Sequence, residues 1–280
     1  MSRNTVARGR ESAAISSVDD VFRRCRAVLT VRPAALVTDI DGTISRIVPR
    51  PEDATVVEGV PASLEALRAK LDVVAVITGR DEPAARRMVG VPDLVYVSNY
   101  GVAAGDGASA GGLSRVLFEL KPALAHLPCV QVEPKHTGFS LHYRNCDEPE
   151  AVRETLISLA APAATKANAR VVEGKRVVEV VPGDLPNKAA AMRRLALERG
   201  IRGLVYLGDD ISDVAVFEEI ARLRSTDGVD GLAIAVVDEE SHPALAPGAD
   251  VALGSVDEVA ELLAALAAWT RGAERGPNDD

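Results

Sequence analysis

Short apolar runs that alternate with amphipathic stretches constrain the fold of this chain more than any other feature. Residues 35–40 (ALVTDI), 73–78 (VVAVIT) and 94–98 (LVYVS) are such runs, and the amphipathic stretches 61–71 and 82–89 separate them. Apolar runs of this length are typical of strands buried on both faces of a parallel sheet. The alternation therefore predicts βαβ units.

The alternation of apolar runs and amphipathic stretches ends near residue 101. A glycine-rich stretch at 101–112 (GVAAGDGASAGG) is followed by two repeats of a helix and a hairpin. The helices are expected at 114–126 and 149–161, and the hairpin strands are VQVEP with GFSLHYRN and then ARVVE with RVVEVVP.

The second strand of the first hairpin alternates strictly between apolar and polar side chains. Such alternation predicts a one-sided antiparallel sheet with helices behind it, which is an α+β arrangement. The apolar set is Phe139, Leu141 and Tyr143, and the polar set is Ser140, His142 and Arg144.

The first rhythm returns at residue 187. A helix to about residue 200 precedes the apolar runs LVYLG, LAIAVV and ADVAL, and a closing helix is expected near 256–271. The sequence thus predicts the α/β class, with a parallel-sheet core and an inserted unit of order αββαββ. We expect a polar lead-in and helix at 1–30, the core at 31–112 and 184–280, and the inserted unit at 113–183.

Composition limits the classes of partner. The chain has 280 residues, is 47% hydrophobic and carries a net charge of −9. An acidic balance argues against a nucleic-acid or anionic-membrane partner, because both depend on basic patches.

No apolar stretch approaches the ~20 residues that span a bilayer, and the first 20 residues lack the apolar core of a signal peptide. We expect a cytoplasmic monomer with a small-molecule substrate.

The three cysteines, Cys25, Cys129 and Cys146, form no C-x-x-C pair. An odd number of cysteines without metal-ligand spacing indicates no disulfide framework and no zinc site. They are predicted to be reduced thiols that pack as small, half-buried side chains.

Polar residues end each apolar run on the same side of the predicted sheet. In an open parallel sheet the carboxyl ends of the strands share one edge, which is where ligands bind. Carboxylates that converge there cannot remain unpaired, and Mg²⁺, which takes oxygen ligands, resolves the conflict. Any one of these aspartates alone could equally be a helix cap or a turn residue. The residues are Asp39 and Asp41, Thr78 with Gly79 and Arg80, Asn99, and Asp209, Asp210 and Asp213.

Four segments resemble, in order, the motifs of the haloacid-dehalogenase superfamily of phosphatases. They are DIDGT (39–43), VITGR (76–80), Lys188 and GDDISD (208–213). The resemblance implies a Rossmann-like core with an inserted cap, a requirement for Mg²⁺ and an aspartyl-phosphate intermediate.

The resemblance also implies a role for each motif residue. The nucleophile would be Asp39, and the proton donor and acceptor would be Asp41. The charge of the transferring phosphoryl group would be met by Thr78 and Lys188. The ion would sit between the carboxylate of Asp39, the backbone carbonyl of Asp41 and Asp209, with Asp210 and Asp213 as outer partners.

A finer resemblance links the chain to the trehalose-6-phosphate phosphatases. It rests on VEPKHTGFSLHYR (132–144), EGKRVVEVVPGDLPNKAAAM (173–192), GDDISDVAVF (208–217) and VVDEESHPALAPGADVAL (236–253). By this resemblance the cap residues that hold the disaccharide are Glu133, Lys135, Arg144, Lys175 and Glu179, and further substrate contacts are Gly42, Arg80 and Asn99.

Three alternatives stay open at this point. The pairs Glu133/Lys135 and Lys175/Glu179 could be exposed cross-strand ion pairs of little consequence. The same chemistry could act on sucrose phosphate or a glycosyl-phosphoglycerate. A non-catalytic regulator that binds a sugar phosphate is possible on the same fold, although a pure binder has no need of Asp41.

Overall fold

The computed structural model describes residues 15–98, 110–135 and 138–272. The lead-in at 1–14, the predicted substrate residue Asn99 and the glycine-rich stretch at 101–109 lie outside the described residues. In chain order the helices and strands are α1 (Val18–Leu29), β1 (Ala34–Thr38), α2 (Val60–Arg68), β2 (Val73–Ile77), α3 (Glu82–Val89), β3 (Val95–Val97), α4 (Ala110–Leu124), β4 (Gln131–Lys135), β5 (Gly138–His142), α5 (Pro149–Lys166), β6 (Ala169–Gly174), β7 (Val177–Pro182), α6 (Lys188–Glu198), β8 (Gly203–Gly208), α7 (Ile211–Thr226), β9 (Asp230–Val236), α8 (Leu245–Gly248), β10 (Val251–Leu253) and α9 (Val256–Gly272).

A parallel sheet forms the core. Over the described ranges it contains six strands in the order β10-β9-β8-β1-β2-β3. All five residues of β1 are buried, because helices cover both faces of the sheet. Helices α1, α2, α3 and α9 pack on one face, while α6, α7 and α8 pack on the other. The predicted α/β class and the predicted core strands are confirmed.

The inserted unit is a second, antiparallel sheet in the order β4-β5-β7-β6. Helices α4 and α5 cover one of its faces, against which the buried side chains of Phe139 and Leu141 pack. On the opposite face Ser140 stands directly between Glu133 on β4 and Glu179 on β7. The order αββαββ and the one-sided alternation agree with the prediction, so the apolar face builds a small core and the polar face remains for other use. We call this unit the cap.

The predicted reduced state of the cysteines is wrong for two of the three. Cys129 and Cys146 form a disulfide with Cα atoms 5.1 Å apart. Gln131 lies opposite His142 in the β4–β5 ladder, so the chain entering β4 and the chain leaving β5 run side by side. Sequence spacing alone does not reveal this proximity. Cys25 is a buried free thiol, and burial raises its pKa to about 12.

In the part of the chain that the structure describes, no helix combines enough length and apolar character to cross a bilayer.

Candidate active site

The site begins at the carboxyl end of β1, where the chain must turn sharply. The backbone N–H of Asp39 still donates to the carbonyl of Leu207 on β8 at 3.0 Å, and Gly42 then adopts a φ of +78°. A Cβ atom at Gly42 would lie 1.8 Å from Oδ2 of Asp209. Only glycine fits here, because the position requires both positive φ and close approach to a carboxylate. The turn therefore brings the ends of β1 and β8 together.

Three buried aspartates meet at this edge. One carboxylate oxygen from each of Asp39, Asp209 and Asp213 lies within 4.8 Å of the other two. Lys188, the first residue of α6, donates from Nζ to Asp39 at 2.6 Å and to Asp213 at 2.9 Å. Its helix is held in place by the N-cap Asn187, whose side chain accepts from Ala190 N–H at 2.8 Å.

Asp213 is the structural anchor of the cluster. It is fully buried, and its Oδ1 accepts from Lys188 and from the Tyr206 hydroxyl, the latter at 2.6 Å. Its Oδ2 accepts from the backbone N–H groups of Asp209 and Asp210 at 3.1 and 3.0 Å. The second contact closes a capping box at the start of α7. Both oxygens of Asp213 are thus engaged, which fits a supporting position behind the other two carboxylates.

Asp41 and Thr78 lie in the loops that follow β1 and β2. Arg80 grips Asp41 in a bidentate pair, with Nε to Oδ2 at 2.6 Å and Nη2 to Oδ1 at 2.7 Å. The buried hydroxyl oxygen of Thr78 accepts from the Arg80 backbone N–H at 3.1 Å. The loop after β2 therefore places a hydroxyl and a guanidinium beside the aspartates.

The pKa values of the buried carboxyl groups are displaced. Burial raises the pKa of Asp39 to about 7, against the opposing effect of the Lys188 ammonium. Burial likewise raises the pKa of Asp209, although Lys175 opposes the shift, and it raises the pKa of Asp210 to about 6. The largest cause of these shifts is the loss of solvation on burial, and the neighbouring carboxylates raise the pKa values further.

A divalent cation suits this donor set. Asp39 and Asp209 offer carboxylate oxygens, which are the ligands that hard cations take, and the excess negative charge favours a cation over an anion. The cluster is thus a candidate metal centre, with Asp213 orienting its neighbours from behind.

The cap turns its polar face toward the aspartates. Glu133 pairs with His142, whose Nε2 lies 2.7 Å from the carboxylate Oε2. Glu179 accepts from the Ser140 hydroxyl at 2.9 Å and from Lys135 Nζ. The side chains of Glu179 and Lys175 are 10% and 8% exposed, so the alternative of an exposed surface pair is wrong for these two residues. The Glu133 side chain is 40% exposed, so the alternative stays open for Glu133.

Charged contacts join the cap to the core. Lys175, in the turn between β6 and β7, donates from Nζ to Asp209 at 3.4 Å and to Asp238 at 2.6 Å. Its backbone N–H donates to Asp210 at 3.2 Å. Arg144 donates to Glu240 at 3.2 Å and to the carbonyl of Lys175 at 2.9 Å. The cap therefore lies directly over the candidate metal centre.

A cavity of about 160 Å³ separates the two units. Most of the predicted site residues line it, while Gly42 and Asp213 lie behind the wall and Asn99 lies outside the described residues. The sequence did not single out His142 or Ser140 as site residues, although the strict alternation of β5 had placed both on the polar face. The predicted residues on the wall are Asp39, Asp41, Thr78, Arg80, Glu133, Lys135, Arg144, Lys175, Glu179, Lys188, Asp209 and Asp210.

A family model and several named relatives indicate one family. Residues 37–247 match the family model described as trehalose-phosphatase. A trehalose-phosphate phosphatase of Mycobacterium marinum is 33% identical over 258 residues, which are 85% of this chain and 63% of the relative. An uncharacterized glycosyl hydrolase of Mycobacterium tuberculosis is 33% identical over 233 residues, which are 76% of this chain and 17% of the relative. The chain thus spans less than two thirds of the length of either relative.

A solved structure shares the fold. The C-terminal domain of C. albicans trehalose-6-phosphate phosphatase superposes with a TM-score of 0.76 at 19% identity, over 91% of this chain and 98% of that one. At this level of identity the likeness concerns the fold, a parallel-sheet core with an inserted cap.

Proposed function

Since the chain belongs to the trehalose-phosphatase family, we propose that it is a Mg²⁺-dependent phosphatase that hydrolyses trehalose 6-phosphate to trehalose and phosphate. One observation carries the proposal. The buried carboxylates at the ends of β1 and β8 and the hydrogen-bonding face of the cap line the same cavity. A phosphate can therefore meet the aspartates while the attached sugar meets the cap.

The metal ion is proposed to be Mg²⁺, held by the carboxylates of Asp39 and Asp209 and by the backbone carbonyl of Asp41. When bound, it supplies positive charge to the phosphoryl oxygens and offsets the buried negative charge of the site. The raised pKa values of Asp39 and Asp209 support this assignment, because burial makes both carboxylates costly to ionise and a cation bound between them would offset that cost.

Asp39 is the proposed nucleophile. Its carboxylate oxygen forms a bond to phosphorus while the bond from phosphorus to the sugar oxygen breaks, leaving an aspartyl phosphate. Lys188, 2.6 Å from Asp39, holds that carboxylate and adds positive charge where the phosphoryl oxygens gather. The Thr78 hydroxyl accepts from the Arg80 N–H and keeps its own proton to donate to a phosphoryl oxygen.

Asp41 is the proposed proton carrier. It gives a proton to the departing sugar oxygen and later takes one from the water that attacks the aspartyl phosphate, which releases phosphate and restores Asp39. The bidentate contact with Arg80 occupies both carboxylate oxygens of Asp41, so the pair must open before Asp41 can carry a proton. A phosphoryl oxygen is an equivalent partner for the Arg80 guanidinium, which gives substrate binding a means of opening it.

We propose that the cap recognises the sugar part of the substrate. Lys135 and Glu179 present a donor and an acceptor on the cavity wall, and Glu133 is steadied by His142. Arg144 and Lys175 complete the proposed set, and Gly42 and Asn99 stay predictions. A site of this kind rejects ligands that leave its buried polar groups unpaired, which supports a polyhydroxylated substrate.

The division of the chain also stays a prediction, with a lead-in and helix at 1–30, the core at 31–112 and 184–280, and the cap at 113–183. So do a monomeric state and a cytoplasmic location. A reducing compartment would hold Cys129 and Cys146 as thiols, whereas the disulfide found here is typical of oxidising ones.

The direct test is phosphate release from a panel of sugar phosphates with and without Mg²⁺. We expect trehalose 6-phosphate to be hydrolysed with the highest kcat/KM, and Asp39→Asn to abolish the reaction. A preference for sucrose phosphate or a glycosyl-phosphoglycerate would replace the substrate but keep the chemistry. Tight binding of trehalose 6-phosphate without any hydrolysis would identify the chain as a regulator instead.

A further inference from the structure

The turn between β6 and β7 lies on an acidic core loop that follows β9. This loop, residues 238–241 (DEES), has no place in the proposed chemistry. Lys175 reaches Asp238 from the cap at 2.6 Å, while Arg144 and Arg176 reach Glu240 at 3.2 and 3.7 Å. Three cap cations therefore meet two carboxylates of one core loop.

Lys175 is shared between this loop and the metal centre. Its side chain is only 8% exposed, and its ammonium lies 2.6 Å from Asp238 and 3.4 Å from Asp209. The backbone N–H of the same residue donates to Asp210, which fixes the turn over the site. The ammonium therefore has two carboxylate partners, and Asp238 is the nearer one.

The position of the Lys175 ammonium between two carboxylates affects metal binding through its charge. Asp209 is a proposed ligand of Mg²⁺, and an ammonium beside it competes with the ion for the same carboxylate and repels the ion itself. Such repulsion is weakly screened because the side chain of Asp209 is 1% exposed. Any group that draws Lys175 away from Asp209 therefore favours metal binding.

We propose that Asp238 is a positioning residue that draws Lys175 off Asp209 and so leaves the metal centre open to its ion while the cap lies over the core. Glu240 supports it, because its contacts with Arg144 and Arg176 hold the loop against the same cap turn. The inference rests on the proposed Mg²⁺ site and adds to it a link between cap and metal through one lysine.

The neighbouring Glu239 offers a matched control. It carries the same charge in the same loop and is exposed, and none of the ion pairs found among the described residues involves it. Neutralising Glu239 removes a charge from the loop without disturbing Lys175. A change specific to Asp238 can thus be separated from a general loss of negative charge near the site.

The test measures Mn²⁺ binding in the absence of substrate. The concentration of free Mn²⁺ is monitored by its electron paramagnetic resonance signal. Mn²⁺ serves as the probe because it takes the same oxygen ligands as Mg²⁺. We expect Lys175→Met to lower the Kd by roughly tenfold, which corresponds to about 1.4 kcal/mol. Asp238→Asn should raise the Kd by roughly threefold to tenfold, whereas Glu239→Gln should change it by less than about twofold.

The decisive comparison is a double-mutant cycle. In the Lys175→Met background, Asp238→Asn should change the Kd by less than about twofold, because its effect runs through Lys175. An equal change in both backgrounds would overturn the inference and leave the proposed function standing. Absence of Mn²⁺ binding to the unsubstituted chain would overturn both.

Two further variants distinguish a specific effect on metal binding from a loss of folding. Asp238→Glu keeps the charge, so it should restore most of the affinity lost in Asp238→Asn, and failure to do so would count against a role for this carboxylate. Lys175→Gln should reproduce the tighter binding of Lys175→Met, with circular dichroism confirming that both fold. Weaker binding in both lysine variants would overturn the inference.

Discussion

Replacing Asp213 with asparagine is the sharpest test of how the site is built. Among the described residues, four groups donate hydrogen bonds to this carboxylate: Lys188 Nζ, the Tyr206 hydroxyl and the N–H groups of Asp209 and Asp210. An asparagine has one acceptor oxygen and one donor NH₂ group. Whichever way the amide turns, two donors face its NH₂ group.

The expected cost follows from these contacts. Two buried donors left without an acceptor cost about 1–3 kcal/mol each. If the NH₂ group faces Lys188, this ammonium loses one of its two carboxylate partners and keeps Asp39, which lies 2.6 Å away. Since Asp213 is fully buried, water cannot replace the lost acceptor. We expect Asp213→Asn to lower the free energy of unfolding by about 2–6 kcal/mol, which is the cost of two unsatisfied donors.

Equilibrium urea unfolding of the metal-free protein measures this loss. Asp184→Asn is the matched control, because this exposed aspartate lies just before α6 and should change stability by no more than about 0.5 kcal/mol. Tyr206→Phe removes a single donor to Asp213 and should cost about 1 kcal/mol. A loss below about 1 kcal/mol in Asp213→Asn would refute the account of Asp213 as the anchor of the cluster.

Three other outcomes follow from the proposed function, and a fourth follows from the disulfide. Asp39→Asn should release no phosphate from trehalose 6-phosphate, and Asp41→Asn should lose about 10²–10⁴-fold in rate, with circular dichroism unchanged in both. EDTA should stop phosphate release and Mg²⁺ should restore it, whereas Ca²⁺ should support it poorly because its longer bonds misplace the phosphoryl group. Glu179→Ala should lower kcat/KM for trehalose 6-phosphate by at least about tenfold, the equivalent of one hydrogen bond, while hydrolysis of p-nitrophenyl phosphate stays nearly unchanged; equal losses on both substrates would make Glu179 structural. Replacing both Cys129 and Cys146 with serine should destabilise the cap by about 3 kcal/mol, as measured by thermal unfolding, because a bridge over a separation of 17 residues is lost.

The core of the site could be predicted from the sequence because it obeys local rules. Apolar runs identify buried parallel strands, and their carboxyl ends meet at one edge, so Asp39, Thr78 and Asp209 had to lie close together. The family match confirms the resemblance that these motifs carry. The hydrophobic alternation around Ser140 and His142 likewise fixed which side of the cap sheet would be polar.

The sequence does not predict which side chains on different strands or helices contact each other. The alternation of β5 does not indicate that Ser140 bonds Glu179 or that His142 bonds Glu133, because each pair joins two different strands. The disulfide could not be predicted for the same reason, because it depends on the register between β4 and β5 rather than on cysteine spacing. Such contacts are decided by tertiary geometry.

Charge explains why the cap and the core must be considered together. The core edge concentrates carboxylates, and the cap carries Lys175 and Arg144 to the same place, where Asp238 and Glu240 engage them. A phosphate entering the cavity brings further negative charge and becomes a competitor for those cap cations. The ion pairs between cap and core are therefore contacts that a substrate can replace, and their strength sets how much of the substrate's binding energy goes into rearranging the cap. On this reasoning the acidic loop after β9 influences substrate binding even where it makes no contact with the sugar.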